Sequence, residues 1–205
     1  MADLNTIKAK VTEMSKLALK MWQTTHLTFI EHDADLIPPI LQDENRLNGL
    51  EKEITFLLVE WNKVSSNALE KAKIPLYAEI IGDLELIGDY CKDILERIEI
   101  KIQEKLLFSE EAVKEYEELY RRTEDALKEV TSALERGSYS AVKEVLRKDE
   151  HIDTLVDLYR KRHNQRMIEG LCSPMACNMF LNMLDFTAAV YYHTKKIAKN
   201  LLKLA

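Results

Sequence analysis

Apolar residues recurring every three or four positions over long stretches constrain this chain more than any other feature. Ile80, Leu84, Ile87, Cys91, Ile94 and Ile98 follow one face of a helix. Leu4, Ile7, Val11, Met14, Ala18, Met21 and Thr25 keep the same rhythm, and so do Leu47, Leu50, Ile54, Leu57, Trp61, Val64 and Ala68. Seams of this kind are buried by packing against other helices. With 5 Gly and 4 Pro in 205 residues, 46% hydrophobic and 31% charged, the chain has few places to turn. Long helices are favoured over turn-rich β structure, and the expected class is all-α.

Stop and start signals divide the pattern into six long helices. Helix one runs to about Ile30 and ends in Glu31, His32, Asp33, Ala34 and Asp35, where Asp33 or Asp35 serves as a cap and His32 is read as a solvated loop histidine. Pro38 and Pro39 suit the first turn of helix two, because a missing N–H there has no partner to lose. Trp61 on that helix is read as core. A break around Lys73, Ile74 and Pro75 opens helix three, which continues to about Leu106. Ser109 with Glu110 and Glu111 starts helix four, and Gly137 follows its last residue, Arg136. Helix five begins near Ser138 or Ser140 and ends by Gly170; Ser173 and Pro174 open helix six. Met175, Met179 and Met183 on helix six, beside Phe180 and Leu184, read as core or interface.

A net charge of -6 argues against a nucleic-acid binder, since phosphate contact needs a basic face. The local exception, Arg160, Lys161, Arg162, His163 and Arg166, lies near a helix C-terminus, where cations complement the carbonyl end; an anion or anionic membrane surface is the sharper alternative. Cys91, Cys172 and Cys177 are odd in number and lack C-x-x-C spacing, so reduced thiols of an intracellular protein are expected. Met1 to Val11 lacks the apolar core of a signal peptide, and no run approaches 18 apolar residues. The expectation is a soluble, cytoplasmic chain, brought to a membrane only by another polypeptide or segment.

Glu85 and Asp89 lie four apart on helix three, off the apolar stripe and beside Gly88, which has no side chain to crowd them. Like charges so placed repel. The pair is either a solvated helix face or one that a cation bridges. The halves of the chain also correspond. Glu44, Asn45, Arg46, Leu47, Asn48, Gly49 and Leu50 parallel Asp149, Glu150, His151, Ile152, Asp153, Thr154 and Leu155 about 105 positions on. At an offset of about 103 the stripe of helix three maps onto Met183, Thr187, Val190, Thr194, Ile197 and Leu201.

The acidic pattern on the second helix, together with Asp83, Leu84, Glu85, Leu86, Ile87, Gly88, Asp89 on the third, resembles the PhoU family of phosphate-uptake regulators over nearly the whole chain. The segment from Arg160 to Cys172 is similar to the PhoU-like cytoplasmic domain fused to sodium/phosphate cotransporters. The resemblance implies two tandem antiparallel three-helix bundles related by a pseudo-twofold, here residues 1–107 and 108–205 in one compact domain. It also implies divalent or ferric ions, with iron, zinc, magnesium or calcium as candidates. The metal residues it implies are Glu44, Glu85 and Asp89 in the first half and Asp149 and Asp153 in the second.

The match is uneven. Asn48 stands where the second acid of helix two is expected, and Ala188 and Tyr192 replace the acids of helix six, with Tyr191 opposite Gly88. Asn48 still offers a carbonyl oxygen. Alanine offers nothing, so metal is expected to be reduced or absent in the second half, with Tyr191 and Tyr192 plugging that surface; His193 beside them is read as a solvated or packed histidine, a single nitrogen ligand being the alternative. The function implied is non-enzymatic regulation of phosphate homeostasis through contact with a phosphate transporter or its signalling partner at the inner membrane face. A homodimer is expected from apolar residues beyond the seams, such as Leu57, Leu58, Tyr191 and Tyr192. A general metal-binding bundle or interaction module without a phosphate role is the alternative. A carboxylate-bridged metal enzyme is disfavoured because no Glu-x-x-His pair occurs, and no nucleophile with a base partner or Gly-rich phosphate loop points to catalysis.

Overall fold

Asp3 begins the first helix by accepting a hydrogen bond from the Thr6 N–H at 2.8 Å, which satisfies one of the free donors of the first turn. The structure is a computed structural model and describes residues 3–139, 141–147 and 152–204. In order, the helices are α1 (Leu4–Glu31), α2 (Ile37–Val64), α3 (Ala68–Lys71), α4 (Ile74–Gln103), α5 (Glu110–Arg136), α6 (Val142–Arg147), α7 (Ile152–Ile168) and α8 (Pro174–Leu204), with a 3-10 turn at Ala34–Leu36. Among the described residues there is no strand.

The expected signals act where they stand. His32 closes α1 in the left-handed region at φ 54, Gly137 does so after α5 at φ 62, and Ser109 and Ser173 cap α5 and α8 through the Ala112 and Ala176 N–H groups. Pro38 and Pro39 lie in the first turn of α2, and Asp33 accepts from the Asp35 N–H at 2.9 Å in the connecting turn. Two boundaries and one buried seam differ. Helix two stops at Val64, and Ala68 opens the separate short α3. The seam drifts over α2: Leu58 is buried where Leu57 was expected, and Val64 is exposed, because a straight helix advances about 20° per heptad against a 3.5-residue repeat. Helix five is represented by α6 and α7; Ser140 and residues 148–151, including Asp149, lie outside the described residues.

Packing follows the two halves. α1 lies on α2 and α4, which also touch each other, while α8 takes α5, α6 and α7 against itself. The groups meet along α4 and α8, the most extensive helix pair, and along α1 and α5. α4 is therefore buried on two sides: Ile80, Leu84, Ile87, Cys91 and Ile94 are inaccessible, and Ile81 and Leu95 are nearly so. Each large apolar side chain so enclosed contributes about 1.5–3 kcal/mol. Trp22 of α1 stacks on Tyr120 of α5 at 4.3 Å between ring centroids. Between α4 and α8, Asp83 is buried and one of its oxygens accepts from His193 Nδ1 at 2.8 Å and from Lys196 at 2.6 Å. That carboxylate holds the Lys196 ammonium form and raises its pKa. Among the described residues, no helix is long and apolar enough to cross a membrane.

Candidate functional site

The acidic face of the first half depends on how closely α2 and α4 approach. A Cβ on Gly88 would stand 2.3 Å from Leu47 Cδ2, and Leu47 is completely buried. Gly88 is thus required by the neighbouring helix, not only by the carboxylates beside it. With the helices so close, Glu44, Asn48 and Glu51 of α2 share a helix face with spacings of four and three, and Glu85, Asp89 and Asp93 form a row on α4.

The charges of these two rows act on one another. Burial, followed by the charges of Asp89, Glu51 and Glu44, raises the pKa of Glu85. Burial and Glu44 raise that of Asp89 against the opposing effect of Lys92. Asp93 is raised by burial and then by Glu96 and Asp89. Glu44 is itself buried and accepts from Asn48 Nδ2 at 2.9 Å, while the buried Asn48 Oδ1 has no hydrogen-bond partner. Carboxylates with an unsatisfied carbonyl oxygen among them are donor types a hard cation takes, although no three of these acids bring their ligand atoms within 4.8 Å of one another. Glu51 joins the group electrostatically; its place one turn beyond Asn48 on α2 is the signal that identifies it.

The corresponding face of the second half is built differently. Tyr191 is buried, with its hydroxyl 3.4 Å from the Val145 carbonyl, whereas Tyr192 is 56% exposed. The expected plug is therefore Tyr191 alone; Tyr192 points into solvent, where Lys196 lies 6.0 Å from its ring centroid. His193 is packed against Asp83 as expected. Asp153 is exposed in the first turn of α7, and Asp149 lies outside the described residues. Beside Tyr191 is a cavity of about 720 Å³ whose walls carry both signs of charge, Arg122 and Lys128 with Asp125, Glu129 and Glu144.

The basic segment of α7 does not act chiefly on the helix end. Arg166 grips the buried Glu115 of α5 at 2.6 and 3.3 Å, Arg162 reaches the same carboxylate at 3.4 Å, and Arg160 pairs with Asp185. His163, counted with the cations in the sequence, is buried and stacked on Phe180 at 4.1 Å between ring centroids. Burial and the neighbouring Arg166 charge push its pKa down to about 4, so the ring is neutral at pH 7.

Cys172 and Cys177 are disulfide-bonded, which corrects the expectation of three reduced thiols; Cys91 alone is free, and burial pushes its thiol up to about 12. The turn from α7 to α8 brings the Cα atoms within 6.2 Å, inside the range a disulfide spans. The ligand atoms of His163, Cys172 and Cys177 lie within 4.8 Å of one another, a group that could hold a metal ion. The sequence signal was a histidine before the Gly170 helix stop and two cysteines after it, a pattern that depends on the turn and resembles no standard zinc spacing.

The PhoU domain family model matches residues 11–98, the stretch that contains both acidic rows. No curated protein sequence matches the chain. PhoU from Pseudomonas aeruginosa superposes with a TM-score of 0.91 at 18% identity, covering 98% of this chain and 96% of that one. The phosphate transport system regulatory protein PhoU from Streptococcus pneumoniae gives 0.86 at 15% identity, with 98% and 94% covered. A PhoU-like protein from Shewanella oneidensis MR-1 gives 0.57 at 15% identity, with 98% and 93% covered. At such identities these likenesses establish the fold. Residues 11–98 match the PhoU domain family model, and the chain as a whole has the fold of the PhoU structures.

Proposed function

We propose that this chain is a non-enzymatic regulator of phosphate uptake that works from the cytoplasmic side by contact with a phosphate transporter or its signalling partner. The observation that carries this reading is the coincidence of the PhoU match at 11–98 with the acidic face of α2 and α4. A structural relative is a regulatory protein of a phosphate transport system, which supports the phosphate connection. The division into repeats at 1–107 and 108–205 belongs to the same reading, as does a homodimer; sedimentation giving only the monomer mass would remove the dimer.

In this reading Glu44, Glu85 and Asp89, helped by the carbonyl of Asn48, would hold a hard cation. The ion would supply positive charge that relieves their mutual repulsion and stiffens the α2–α4 pair. The second half, with Tyr191 in place of a glycine and Ala188 in place of an acid, would hold less metal or none; Asp153 would be an isolated exposed carboxylate. The test is deletion of the gene with phosphate uptake measured in phosphate-rich medium. Deregulated uptake, restored by the wild-type chain and restored less well by Glu85→Ala with Asp89→Ala, is the expected result. Uptake unchanged by the deletion would count against the regulatory role.

A further inference from the structure

The turn between α7 and α8 gathers ligands for which the phosphate reading has no use. We infer that His163, Cys172 and Cys177 form a redox-gated site for a soft or borderline divalent ion of the zinc type: the dithiol and the imidazole bind it, and the disulfide excludes it. Three ligand atoms within 4.8 Å of one another are within reach of a single ion with bonds of about 2.0–2.3 Å, after the sulfurs separate. His163 is 2% exposed, and its Nε2 has no hydrogen-bond partner, while stacking on Phe180 holds the ring in place. An imidazole fixed this way, with a free ring nitrogen, is ready to coordinate. Cys172 is only half-buried, which leaves a side of the group open for a water to complete four-coordination.

The charges also balance. Two thiolates neutralise a divalent ion, and the adjacent Arg166 is already neutralised by Glu115, so loading the site adds no net charge to a buried position. The N-terminus of the 31-residue α8, whose first turn holds Cys177, favours thiolates over thiols. Metallation at Nε2 leaves the ring proton on Nδ1, which lies 3.2 Å from Arg166 Nη2. Binding therefore requires Arg166 to give up that contact and turn wholly to Glu115. Oxidation reverses the state. Two thiolates give up two electrons and join as S–S; the oxidant, an azo compound such as diamide, takes the electrons with two protons from water to become a hydrazine; and the ion leaves with its charge unchanged.

The experiment titrates the full chain, reduced and kept under nitrogen, with Co²⁺ alone. Thiolate-to-cobalt charge-transfer absorption saturating at one equivalent, displaced by zinc and abolished by diamide until reductant is restored, is the expected result. Oxygen-ligated cobalt on the acidic face gives no such band, so the two sites are read separately. Cys172→Ser combined with Cys177→Ser should remove the band. His163→Gln should keep thiolate absorption with affinity lowered by at least about tenfold, the lower limit for changes even one shell further out. Cys172→Ser alone, at a half-buried position, and far-UV circular dichroism guard against a misfolded variant. A reduced, folded wild-type chain without the band, or a band unchanged in the double cysteine variant, overturns the site.

Discussion

The same helix face is built in opposite ways in the two halves. In the first, Gly88 lets α4 settle on Leu47 of α2, and the closeness brings Glu44, Glu51, Glu85 and Asp89 into one another's fields. In the second, the matching position is Tyr191, whose ring takes up the space between elements, with a cavity of about 720 Å³ beside it and charges of both signs in the walls. Acids are concentrated where a residue without a side chain permits backbone approach. Where a bulky ring is buried instead, the neighbouring cavity is walled by charges of both signs. The halves thus differ both in packing, Gly88 against Tyr191, and in acids, Glu85 and Asp89 against Ala188 and Tyr192.

The sharpest way to break this comparison is to remove the ring. Tyr191 is 4% exposed, and truncating an aromatic of this size costs about 3–5 kcal/mol because the void is only partly filled by relaxation. Tyr191→Ala should lower stability by that order in chemical denaturation; a loss below about 1 kcal/mol would mean the ring does not hold the second half in shape. The converse change in the first half is smaller. Gly88→Ala forces Leu47 to move within a filled core, at about 1–3 kcal/mol, against roughly 0.5–1 kcal/mol gained from the better helix former. Gly82→Ala, six residues earlier on α4, meets nothing within 4 Å and should stabilise by that gain alone. If the two variants melted together, the α2–α4 approach would not be set by Gly88.

These positions also show what can be read from the sequence. Helix ends were legible because each depends on a few neighbouring residues: the Ser109 and Ser173 caps, the Gly137 stop and the paired prolines of α2 stand where local chemistry puts them. The acidic face of the first half was legible for the same reason, its members being one turn apart on single helices. What escaped depends on residues distant in sequence. Asp83 reads as another acid in an acidic run, yet it is buried because His193 and Lys196 arrive from α8, 110 and 113 positions away. Lys101 ends a helix as a cation should, but it is buried over the rings of Phe29 and Phe108 and touches His32, and burial lowers its pKa. Tyr191 and Tyr192, adjacent and chemically alike, point to opposite environments, which helical periodicity states only once the phase of α8 is known.

The finest test of the comparison is electrostatic. Glu85 has its pKa raised in the folded chain by burial and by Asp89, Glu51 and Glu44, so its charged form is worse off folded than unfolded. The penalty is absent below the ordinary value of 4.5, where the group is protonated in both states, and is fully present once pH has risen through the raised folded value. Glu85→Gln removes the charge at nearly constant shape. At pH 7 without metal it should therefore be more stable than wild type by about 0.2–0.5 kcal/mol, the size of a like-charge pair one helical turn apart. The advantage should fade as pH falls toward 4.5 and should also fade, in the wild-type chain's favour, when a divalent cation is added. In the second half, Asp153→Asn removes an exposed acid whose matching α8 position is Tyr192, and it should change stability little at any pH. Denaturation midpoints of the two variants across pH, with and without cation, measure the difference between the faces; equal responses would show that closing α2 on α4 does not concentrate charge.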